Sequence, residues 1–450
     1  MSGLTSALQT TGGLWVSAAM TPGDRERAAR STDGRVEVIT DDAKLHLRLL
    51  TFDDETYDLA YNHVSNRILW FMHHHLWNVP RAPSFGPETR TAWEGYRRYN
   101  GAFAEALAEE AHGERAAILV QDYHLCLVPR ALRERAPGTR IAHFHHSPFA
   151  GPDELRLLPR WMWRELLEGL LGADLLGFHT ERWLRNFVEC CRLLDGAAPG
   201  RRSVRWHGRT VRLGVFPISI DAEALRGRAR APEVDAKREQ LRRWLGDRRL
   251  LLRVDRTELS KNIVRGFEAY GELLRQHPDW RGKVVFLALL NPSRQDLPEY
   301  REYAEETEEA VRRVNRDFGD GAWQPVELRI ADDWNEVVAA LGIYDVLLVN
   351  PVFDGMNLVA KEGPVLNEED GVLVLSTNAG AHAELRDHAL PVDPLDVAGT
   401  ADALDAALRM SPEDRERRST GLRRAAEGGS PARWAASQLR ALDRIAPRGA

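Results

Sequence analysis

Short apolar runs alternate with longer amphipathic stretches along most of the chain. The runs are continuously apolar rather than alternating, which is typical of parallel strands covered on both faces. Alternation of such strands with helices predicts an α/β architecture with parallel sheets. The predicted strands are 117–120, 140–144, 175–178 and 213–216, followed by 250–254, 284–288, 346–349 and 372–375. The predicted helices include 153–171, 180–194, 233–245 and 298–317.

The two series of strands predict two doubly wound domains. A chain of 450 residues is also too long for one compact core. We place an N-terminal domain at 1–217 and a C-terminal domain at 218–430, because residues 217–221 directly follow a predicted strand. A last helix within 431–450 carries Trp434, Leu439 and Leu442 on one apolar face. We expect this helix to pack back on the first domain.

Composition and charge exclude several classes of function. The net charge of -6 and a pI near 6.2 argue against a general binder of nucleic acid or of anionic membranes. The three cysteines, Cys126, Cys190 and Cys191, fit neither a disulfide framework nor a zinc motif. No signal peptide and no apolar stretch of about 20 residues are visible. We therefore expect a cytoplasmic protein.

Polar residues follow the predicted strands at the positions where parallel sheets bind ligands, beyond the carboxyl ends of the strands. Two facing domains would bring these ends to one cleft. The five residues are Asp122, His146, Arg256, Arg294 and Asp354.

The segment from Arg256 to Lys261 places two cations after one strand. Arg offers a planar fork and Lys a point charge, and both can reach one diphosphate. A helix beginning near Lys261 would add its N-terminal amides. A solvated charged turn is the alternative.

The segment from Asp354 to Glu362 follows another strand. Gly355 permits a tight turn, and the chain from Asn357 onwards is predicted to be helical. Amides at such a turn can hold phosphate, and Glu362, about one and a half turns into that helix, could reach a ribose diol. An ordinary strand–turn–helix capped by Asp354 is the alternative.

Aromatic and histidine residues allow more than one interpretation. Trp15, Tyr61 and Trp70 could stack on sugars, although such residues are common in cores. His143 and His145 fit core positions better than ligand positions. The run 73–75 is all histidine, but consecutive residues on a helix do not converge on one metal ion. Arg294 could clamp a phosphate or lie on the surface.

These segments together resemble the trehalose-6-phosphate synthase family of retaining glycosyltransferases, in an actinobacterial-type version. The run from Asp354 to Glu362, Asp-Gly-Met-Asn-Leu-Val-Ala-Lys-Glu, is the most specific match. The other matching pieces are Gly12-Gly13-Leu14-Trp15, Tyr61-Asn62, Ser65-Asn66, Leu69-Trp70, Asp122-Tyr123-His124-Leu125, His146, Pro148-Phe149, Leu176-Gly177-Phe178, Arg256, Lys261, Ser293-Arg294 and Ala379-Gly380.

The resemblance implies a GT-B fold, with two Rossmann-like doubly wound domains facing across a cleft. It implies retaining transfer of glucose from GDP- or UDP-glucose to glucose 6-phosphate, giving α,α-trehalose 6-phosphate. It implies small-molecule substrates, no nucleic acid, no membrane, no cofactor and no tightly bound metal. A homo-oligomer remains open.

The resemblance also implies a role for each matching residue. The catalytic set is Arg256, Lys261, Asp354 and His146. Arg256 and Lys261 would hold the donor diphosphate, Glu362 the donor ribose, and Asp354 and His146 the donor glucose, with Gly355, Met356, Asn357 and Leu358 on the diphosphate loop. The acceptor would be bound by Trp15, Tyr61, Trp70, Asp122 and Arg294, with Arg294 on its phosphate.

Three segments depart from the family pattern. The family begins with a strand that ends in an acceptor-phosphate Arg, whereas this sequence starts in the following loop. We therefore expect either a late start or another way of holding that phosphate. The segment 256–262 keeps its cations in an altered loop, and the segment 363–368 is unusual, so the donor base stays open. The alternatives are a pseudo-glycosyltransferase joining cyclitols and a non-catalytic regulatory homologue.

Overall fold

The structure is a computed structural model that describes residues 13–40, 43–111 and 116–445. The described chain forms two compact units. Unit 1 contains the residues up to Ile218 together with the stretch from Pro431 onwards, and unit 2 is Ser219–Ser430. The sequence-based limits, 217/218 and 430/431, lie within one residue of these. No helix among the described residues is long and apolar enough to cross a membrane.

The main sheet of unit 1 has six strands in the order β4-β5-β6-β9-β8-β7. The first four are parallel, and β8 and β7 are antiparallel additions. All four residues of β6 are buried, as continuous apolarity predicts for a strand covered on both faces. The strands are Ala117–Gln121 (β4), Arg140–His145 (β5), Leu175–Phe178 (β6), Ala198–Pro199 (β7), Ser203–Trp206 (β8) and Arg209–Val215 (β9).

A second sheet of unit 1 has three strands, in the order β1-β3-β2. These strands are Leu14–Ala18 (β1), Arg35–Thr40 (β2) and Ala43–Leu50 (β3), and the sequence-based prediction missed them. A segment with π-helical hydrogen bonding covers Asp58–Leu69. The α-helices of unit 1 are Pro22–Ala29 (α1), Asp54–Tyr57 (α2), Trp70–His73 (α3), Pro87–Glu110 (α4), Val128–Arg135 (α5), Pro152–Leu155 (α6), Arg160–Leu170 (α7) and Glu181–Cys191 (α8).

Unit 2 contains one fully parallel sheet of six strands. Numbered within the unit, its order β12-β11-β10-β13-β14-β15 reads 3-2-1-4-5-6, the order of a dinucleotide-binding Rossmann sheet. The strands are Arg249–Arg256 (β10), Val284–Asn291 (β11), Val326–Ile330 (β12), Val346–Val349 (β13), Val372–Ser376 (β14) and Leu390–Val392 (β15).

Helices connect the successive strands of unit 2, as a doubly wound sheet requires, and further helices precede the first strand and follow the last. Several begin at side-chain caps: Asp221 accepts from the Ala224 amide and Ser411 from the Asp414 amide, which satisfies amides that lack partners at a helix start. The helices are Ala222–Ala229 (α9), Pro232–Leu245 (α10), Ile263–Gln276 (α11), Pro298–Phe318 (α12), Trp334–Ile343 (α13), Val359–Leu366 (α14), His382–Leu385 (α15), Val397–Leu408 (α16) and Pro412–Ala426 (α17).

The last helix, Pro431–Asp443 (α18), packs against the main sheet of unit 1. Leu442 joins Ala142 and Leu175 in a buried cluster. The Trp434 ring meets the Phe144 ring edge-on, with centroids 5.0 Å apart. A chain segment that follows unit 2 in sequence therefore completes the core of unit 1.

The structure corrects two predicted helices. The predicted helix 153–171 is broken into α6 and α7, because Pro159 precedes α7 in an extended conformation. The predicted helix from Asn357 starts only at Val359, because Asn357 has a φ of 73°. All eight predicted strands are present; 175–178 and 346–349 have the predicted limits, and the other six have somewhat different ends.

Candidate functional site

In the unit 2 sheet, the chain adds strands to one side of β10 up to β12 and then to the other side from β13 onwards. The strand order therefore changes direction between β10 and β13. In doubly wound sheets the ligand crevice lies at this switch point, beyond the carboxyl ends of the strands. The Nζ atom of Lys261, which follows β10, lies 2.5 Å from Oδ2 of Asp354, which follows β13. The fold therefore brings together two of the predicted catalytic residues.

Several carboxylates set the charge state of Lys261. Burial lowers its pKa, but Asp354 and Asp255 raise it, and the net result is a raised pKa. Lys261 is therefore a firmly charged ammonium in a largely buried position. Burial also raises the pKa of Asp255 to about 6, against the attraction of Arg253 and Lys261. The switch point thus concentrates charges of both signs away from bulk water.

Hydrogen bonds tie the loops after β10 and β13 to each other. The Val352 amide donates to the Ser260 carbonyl at 2.9 Å. The amide side chain of Asn262, at 3.0 and 2.6 Å, donates to the carbonyls of Asn350 and Pro394. Asn262 has a φ of 59°, a left-handed conformation that Asn adopts more readily than most residues. Lys261 and Asp354 are thus positioned by their backbones.

The loop from Asp354 to Leu358 lies against the backbone of a second loop. The Gly380 amide donates to the Asp354 carbonyl at 3.0 Å, and the Ala381 amide donates to the Met356 carbonyl at 2.7 Å. A Cβ atom on Gly380 would come within 1.9 Å of the Gly355 carbonyl oxygen. Gly380 is therefore required for this close approach.

Asn357 shapes the end of the same loop. Its side-chain nitrogen donates to Asp354 Oδ2 at 3.2 Å, and its Oδ1 accepts from the Ala360 amide. Asn357 thus links the carboxylate of the ion pair to the start of α14. Asp354 thus contacts both Lys261 and Asn357.

Glu362 lies in the first turn of α14, about half a turn nearer the helix start than predicted, because the helix begins two residues later. Burial raises the pKa of its carboxyl to about 7. The group therefore changes charge within the physiological pH range.

A buried carboxylate, Glu258, connects the two predicted phosphate-binding arginines. Arg256 Nη1 lies 2.9 Å from Glu258 Oε1, and the Ser293 hydroxyl donates to the same oxygen at 2.8 Å. Burial raises the pKa of Glu258, but Arg256, Arg294 and Lys261 outweigh burial and lower it. The neighbouring Arg294 donates to the Tyr300 hydroxyl at 2.6 Å. The sequence offered Glu258 only as part of an altered segment, with no assigned role.

In unit 1, Asp122 and His146 follow the neighbouring strands β4 and β5 and are hydrogen-bonded together. Asp122 Oδ1 accepts from the amides of His146, at 3.0 Å, and Ser147, at 3.3 Å. Asp122 has a φ of 64°, a strained conformation for a non-glycine residue that is common at functional sites. Burial raises the pKa of Asp122 to about 6.

His146 is neutral at physiological pH, because burial lowers its pKa to about 4. Its Nε2 lies 2.9 Å from Gln121 Oε1, which can only accept a hydrogen bond. The neutral ring therefore carries its proton on Nε2 and offers Nδ1 as an acceptor. Gln121 is a partner that sequence reasoning did not single out.

Two of the three predicted sugar-stacking residues of unit 1 stack on histidine rings. The Tyr61 ring stacks on the His124 ring, with centroids 5.1 Å apart. The Trp70 ring stacks on the His74 ring at 3.7 Å and is buried. Trp15 lies half-buried on β1. The structure thus joins Tyr61 to the segment that carries Asp122, whereas Trp70 has the burial of a core residue.

The three consecutive histidines point to different partners. The Ala150 amide donates to His73 Nδ1 at 3.2 Å, and His74 Nδ1 donates to the Trp70 carbonyl at 2.9 Å. His75 Nδ1 lies 3.5 Å from a Glu154 oxygen. The departure predicted at the start of the chain, and Gly12 of the matching run 12–15, lie outside the described residues.

Comparisons with known proteins identify the family. A model of glycosyltransferase family 20 matches residues 1–444. A trehalose-6-phosphate synthase of Mycolicibacterium smegmatis is 38% identical over 417 residues, which cover 90% of this chain and 80% of that protein. A bifunctional trehalose-6-phosphate synthase/phosphatase of Thermoproteus tenax is 34% identical over 94% of this chain, which spans only 56% of that longer protein.

Solved structures agree with this assignment. A structure described as trehalose-6-phosphate from E. coli bound with UDP-2-fluoro glucose has a TM-score of 0.88 and 31% identity, covering 99% of this chain and 96% of that chain. An α,α-trehalose-phosphate synthase from Burkholderia xenovorans in complex with glucose-6-phosphate has a TM-score of 0.86 and 30% identity, covering 98% and 95%. These similarities confirm the predicted GT-B fold. The chain belongs to glycosyltransferase family 20 and is an enzyme of the trehalose-6-phosphate synthase type.

Proposed function

We propose that the protein transfers glucose, with retention of configuration, from a nucleotide-glucose to glucose 6-phosphate and forms α,α-trehalose 6-phosphate. The observation that carries the proposal is the meeting of Lys261 and Asp354 at the switch point of a Rossmann-order sheet. That position is where such sheets bind nucleotides. The relatives named for this reaction, and the neighbours bound to a UDP-sugar analogue or to glucose-6-phosphate, support it.

The chemistry requires positive charge at the leaving group. Breaking the bond between glucose and the β-phosphate oxygen leaves negative charge on the diphosphate. Arg256 ends β10, Lys261 lies in the short turn that follows it, and both are assigned to that diphosphate, together with the amides that follow Asp354. Lys261 is largely buried, and a donor in such a position stabilises developing charge far better than water does.

The ion pairs of these cations suggest how the diphosphate enters. Lys261 is paired with Asp354, and Arg256 with Glu258. A diphosphate would compete for the cations and release the Asp354 carboxylate toward the glucose hydroxyls, its assigned partners. The carboxylates keep the cations ordered and charged before the donor binds, so little reorganisation is needed during the reaction.

The acceptor hydroxyl attacks from the face that the diphosphate leaves, and its proton passes to a donor phosphate oxygen. No protein base is required for this step. A neutral His146 fits it, because its Nδ1 can accept a hydrogen bond from a donor glucose hydroxyl without adding charge. We assign Asp122, Trp15, Tyr61 and Trp70 to the acceptor sugar and Arg294 to its phosphate.

We propose no catalytic metal, because cationic side chains take the role of charge stabiliser at the leaving group. Glu362 is assigned to the ribose diol. Only its ionised form is purely an acceptor of hydrogen bonds, so donor binding would improve as the carboxyl ionises. The donor is either UDP-glucose or GDP-glucose, and activity measurements with each donor distinguish the two.

The test is nucleoside diphosphate release by the purified protein, measured with UDP-, GDP- and ADP-glucose, each with and without glucose 6-phosphate. We expect release from one donor that depends on glucose 6-phosphate. Omitting the acceptor serves as the control for simple donor hydrolysis. Release that is unaffected by glucose 6-phosphate, or no release from any donor, would contradict the proposal.

A further inference from the structure

A cluster of metal-ligating side chains lies in the core of unit 1, apart from the residues assigned to the reaction. It consists of Cys126, His143 and His145, whose ligand atoms lie within 4.8 Å of one another. All three side chains are buried, with at most 1% exposure. Neither ring nitrogen of His143 or His145 has a hydrogen-bond partner in the described structure. Four buried imidazole nitrogens without partners are costly unless something binds them.

The strand places both histidines on one face. His143 and His145 are alternate residues of β5, and alternate residues of a strand point to the same side of the sheet. Phe144, between them, points to the other side, where it meets Trp434. Cys126 follows the short helical turn Tyr123–Leu125 after β4. Its amide donates to the Tyr96 hydroxyl at 3.2 Å, which fixes its backbone.

From this geometry we propose that Cys126, His143 and His145 bind a zinc ion in the core of unit 1. Thiolate and imidazole are the ligands that zinc prefers in proteins. Tetrahedral bonds of about 2.0–2.3 Å place ligand atoms about 3.3–3.8 Å apart, so the cluster needs to contract by about 1 Å. The site runs against the sequence-based expectation of no bound metal, and none of its three ligands is a residue assigned to the reaction.

The protonation states suit a ligand set. Both ring nitrogens of His143 and of His145 lack hydrogen-bond partners among the described residues, so each ring can offer a nitrogen lone pair to a metal ion. Burial, and then the charge of Asp122, raise the pKa of the Cys126 thiol. Zinc binding must therefore displace the thiol proton to solvent as the sulfur–zinc bond forms. The Asp122 carboxylate would partly balance the remaining positive charge.

A neighbouring histidine is excluded by its hydrogen bond. The ring of His73 lies 4.6 Å from that of His145, centroid to centroid. The Ala150 amide donates to His73 Nδ1, so a neutral His73 ring carries its proton on Nε2. Nε2 is then a donor and not a ligand. The site has three protein ligands and an open fourth position.

The site would fix the ends of two neighbouring strands. Its ligands come from β5 and from the turn after β4, the segments that also carry Asp122 and His146. Because the ligands are buried, the ion would enter during folding and would exchange slowly with chelators. This behaviour separates it from metal ions adsorbed at the surface.

The test is the metal content of protein produced in zinc-supplemented minimal medium and then washed with EDTA. We expect close to one zinc ion per chain in the natural protein and almost none in Cys126→Ala or His145→Leu. Cys191→Ala is the matched control, since Cys191 is equally buried but lies on α8 outside the cluster. Cys191→Ala should keep the metal.

Cobalt substitution provides a readout that does not depend on the variants folding. Natural protein refolded with Co²⁺ should show a thiolate-to-cobalt charge-transfer band and the intense visible bands of tetrahedral cobalt. The proposal is overturned if folded natural protein contains no zinc after this treatment and lacks the thiolate band with cobalt. Metal retention by Cys126→Ala would overturn it equally. Because neither readout measures glucosyl transfer, failure here leaves the proposed function untouched.

Discussion

The assigned residues of unit 2 are mostly charged, whereas those of unit 1 are mostly neutral. In unit 2, Lys261 pairs with Asp354 and Arg256 with Glu258. The charge of Arg294 also acts on Glu258 and lowers its pKa. In unit 1, His146 has lost its charge through burial, and Tyr61 offers an aromatic face. The difference indicates a division of labour. On the proposed assignments, unit 2 would stabilise charge at the leaving group, and unit 1 would hold sugar hydroxyls and ring faces.

The largest expected effect comes from removing the buried ammonium of unit 2. Lys261→Ala should lower kcat by about 10²–10³-fold, the usual result of deleting a donor that stabilises developing charge. Lys237→Ala is a matched control, because Lys237 forms another Lys–Asp pair in the same unit, with Asp333 at 2.8 Å. Steady-state kinetics with saturating substrates measure the effect. An unchanged kcat in Lys261→Ala would contradict the claim that unit 2 stabilises charge at the leaving group.

A smaller effect, on the acceptor alone, is expected from Arg294→Ala. Loss of a charged hydrogen bond to phosphate, worth about 1.5–3 kcal/mol, should raise the KM for glucose 6-phosphate about 10- to 100-fold. The KM for the donor should stay nearly constant. Arg312→Ala, at an exposed pair with Glu308 and Glu309, is the control. A rise in donor KM instead would place Arg294 on the other substrate.

A smaller change still is expected from substituting Tyr61 in unit 1. Tyr61→Ala removes the ring that stacks on His124 and should raise the KM for glucose 6-phosphate about 3- to 10-fold, as expected for an aromatic contact worth about 0.5–1.5 kcal/mol. Tyr61→Phe keeps the ring and should stay close to the natural protein. A large fall in kcat in Tyr61→Phe would show that unit 1 contributes to the chemical step through the hydroxyl.

The mildest effect is a pH dependence of donor binding. The pKa of Glu362 is raised to about 7. The donor KM should therefore fall several-fold as the pH rises through about 7, because the ionised Glu362 carboxylate only accepts hydrogen bonds. In Glu362→Gln this change should disappear. Asp122 and Asp255, both with a pKa of about 6, remain in the variant, so the difference between the two proteins isolates Glu362.

Folding stability gives an independent check of the same carboxyl group. Its pKa is higher in the folded protein than the ordinary 4.5, so the folded form binds more protons between about 4.5 and 7. Stability from this group is full below that window and is lost as pH rises through it. Glu362→Gln should therefore gain free energy of unfolding, relative to the natural protein, at pH 8 compared with pH 4. Equal differences at both pH values would contradict the raised pKa.

The sequence predicted the parallel-strand framework because buried parallel strands are continuously apolar. All eight predicted strands lie in the two main sheets. The prediction missed the three-stranded sheet of unit 1, because its strands lack the continuous apolarity of the main sheets. In Ala43–Leu50, for example, lysine, histidine and arginine alternate with apolar residues. The helix expected from Asn357 starts late because a side-chain hydrogen bond and a positive φ hold Asn357 outside it.

The sequence predicted which residues belong to the candidate site but not which of them contact each other. The pairing of Lys261 with Asp354 depends on strand order, and residues 93 positions apart carry no local signal of adjacency. Glu258 was missed because a buried carboxylate reads in sequence like any surface glutamate until its partners Arg256 and Ser293 are located. The raised pKa values of Asp122 and Glu362 depend on burial, which a sequence does not fix for a polar residue.

The measurement that tests the central claim most directly is an NMR spectrum of the product made from nucleotide-glucose labelled with ¹³C at C1 of the glucose. Glucose 6-phosphate is supplied unlabelled. Retaining transfer places the label in an α-linked anomeric carbon of α,α-trehalose 6-phosphate, and the spectrum should show that signal growing as the donor signal decays. Label appearing in free glucose, or in a β-linked anomeric carbon, would contradict the account.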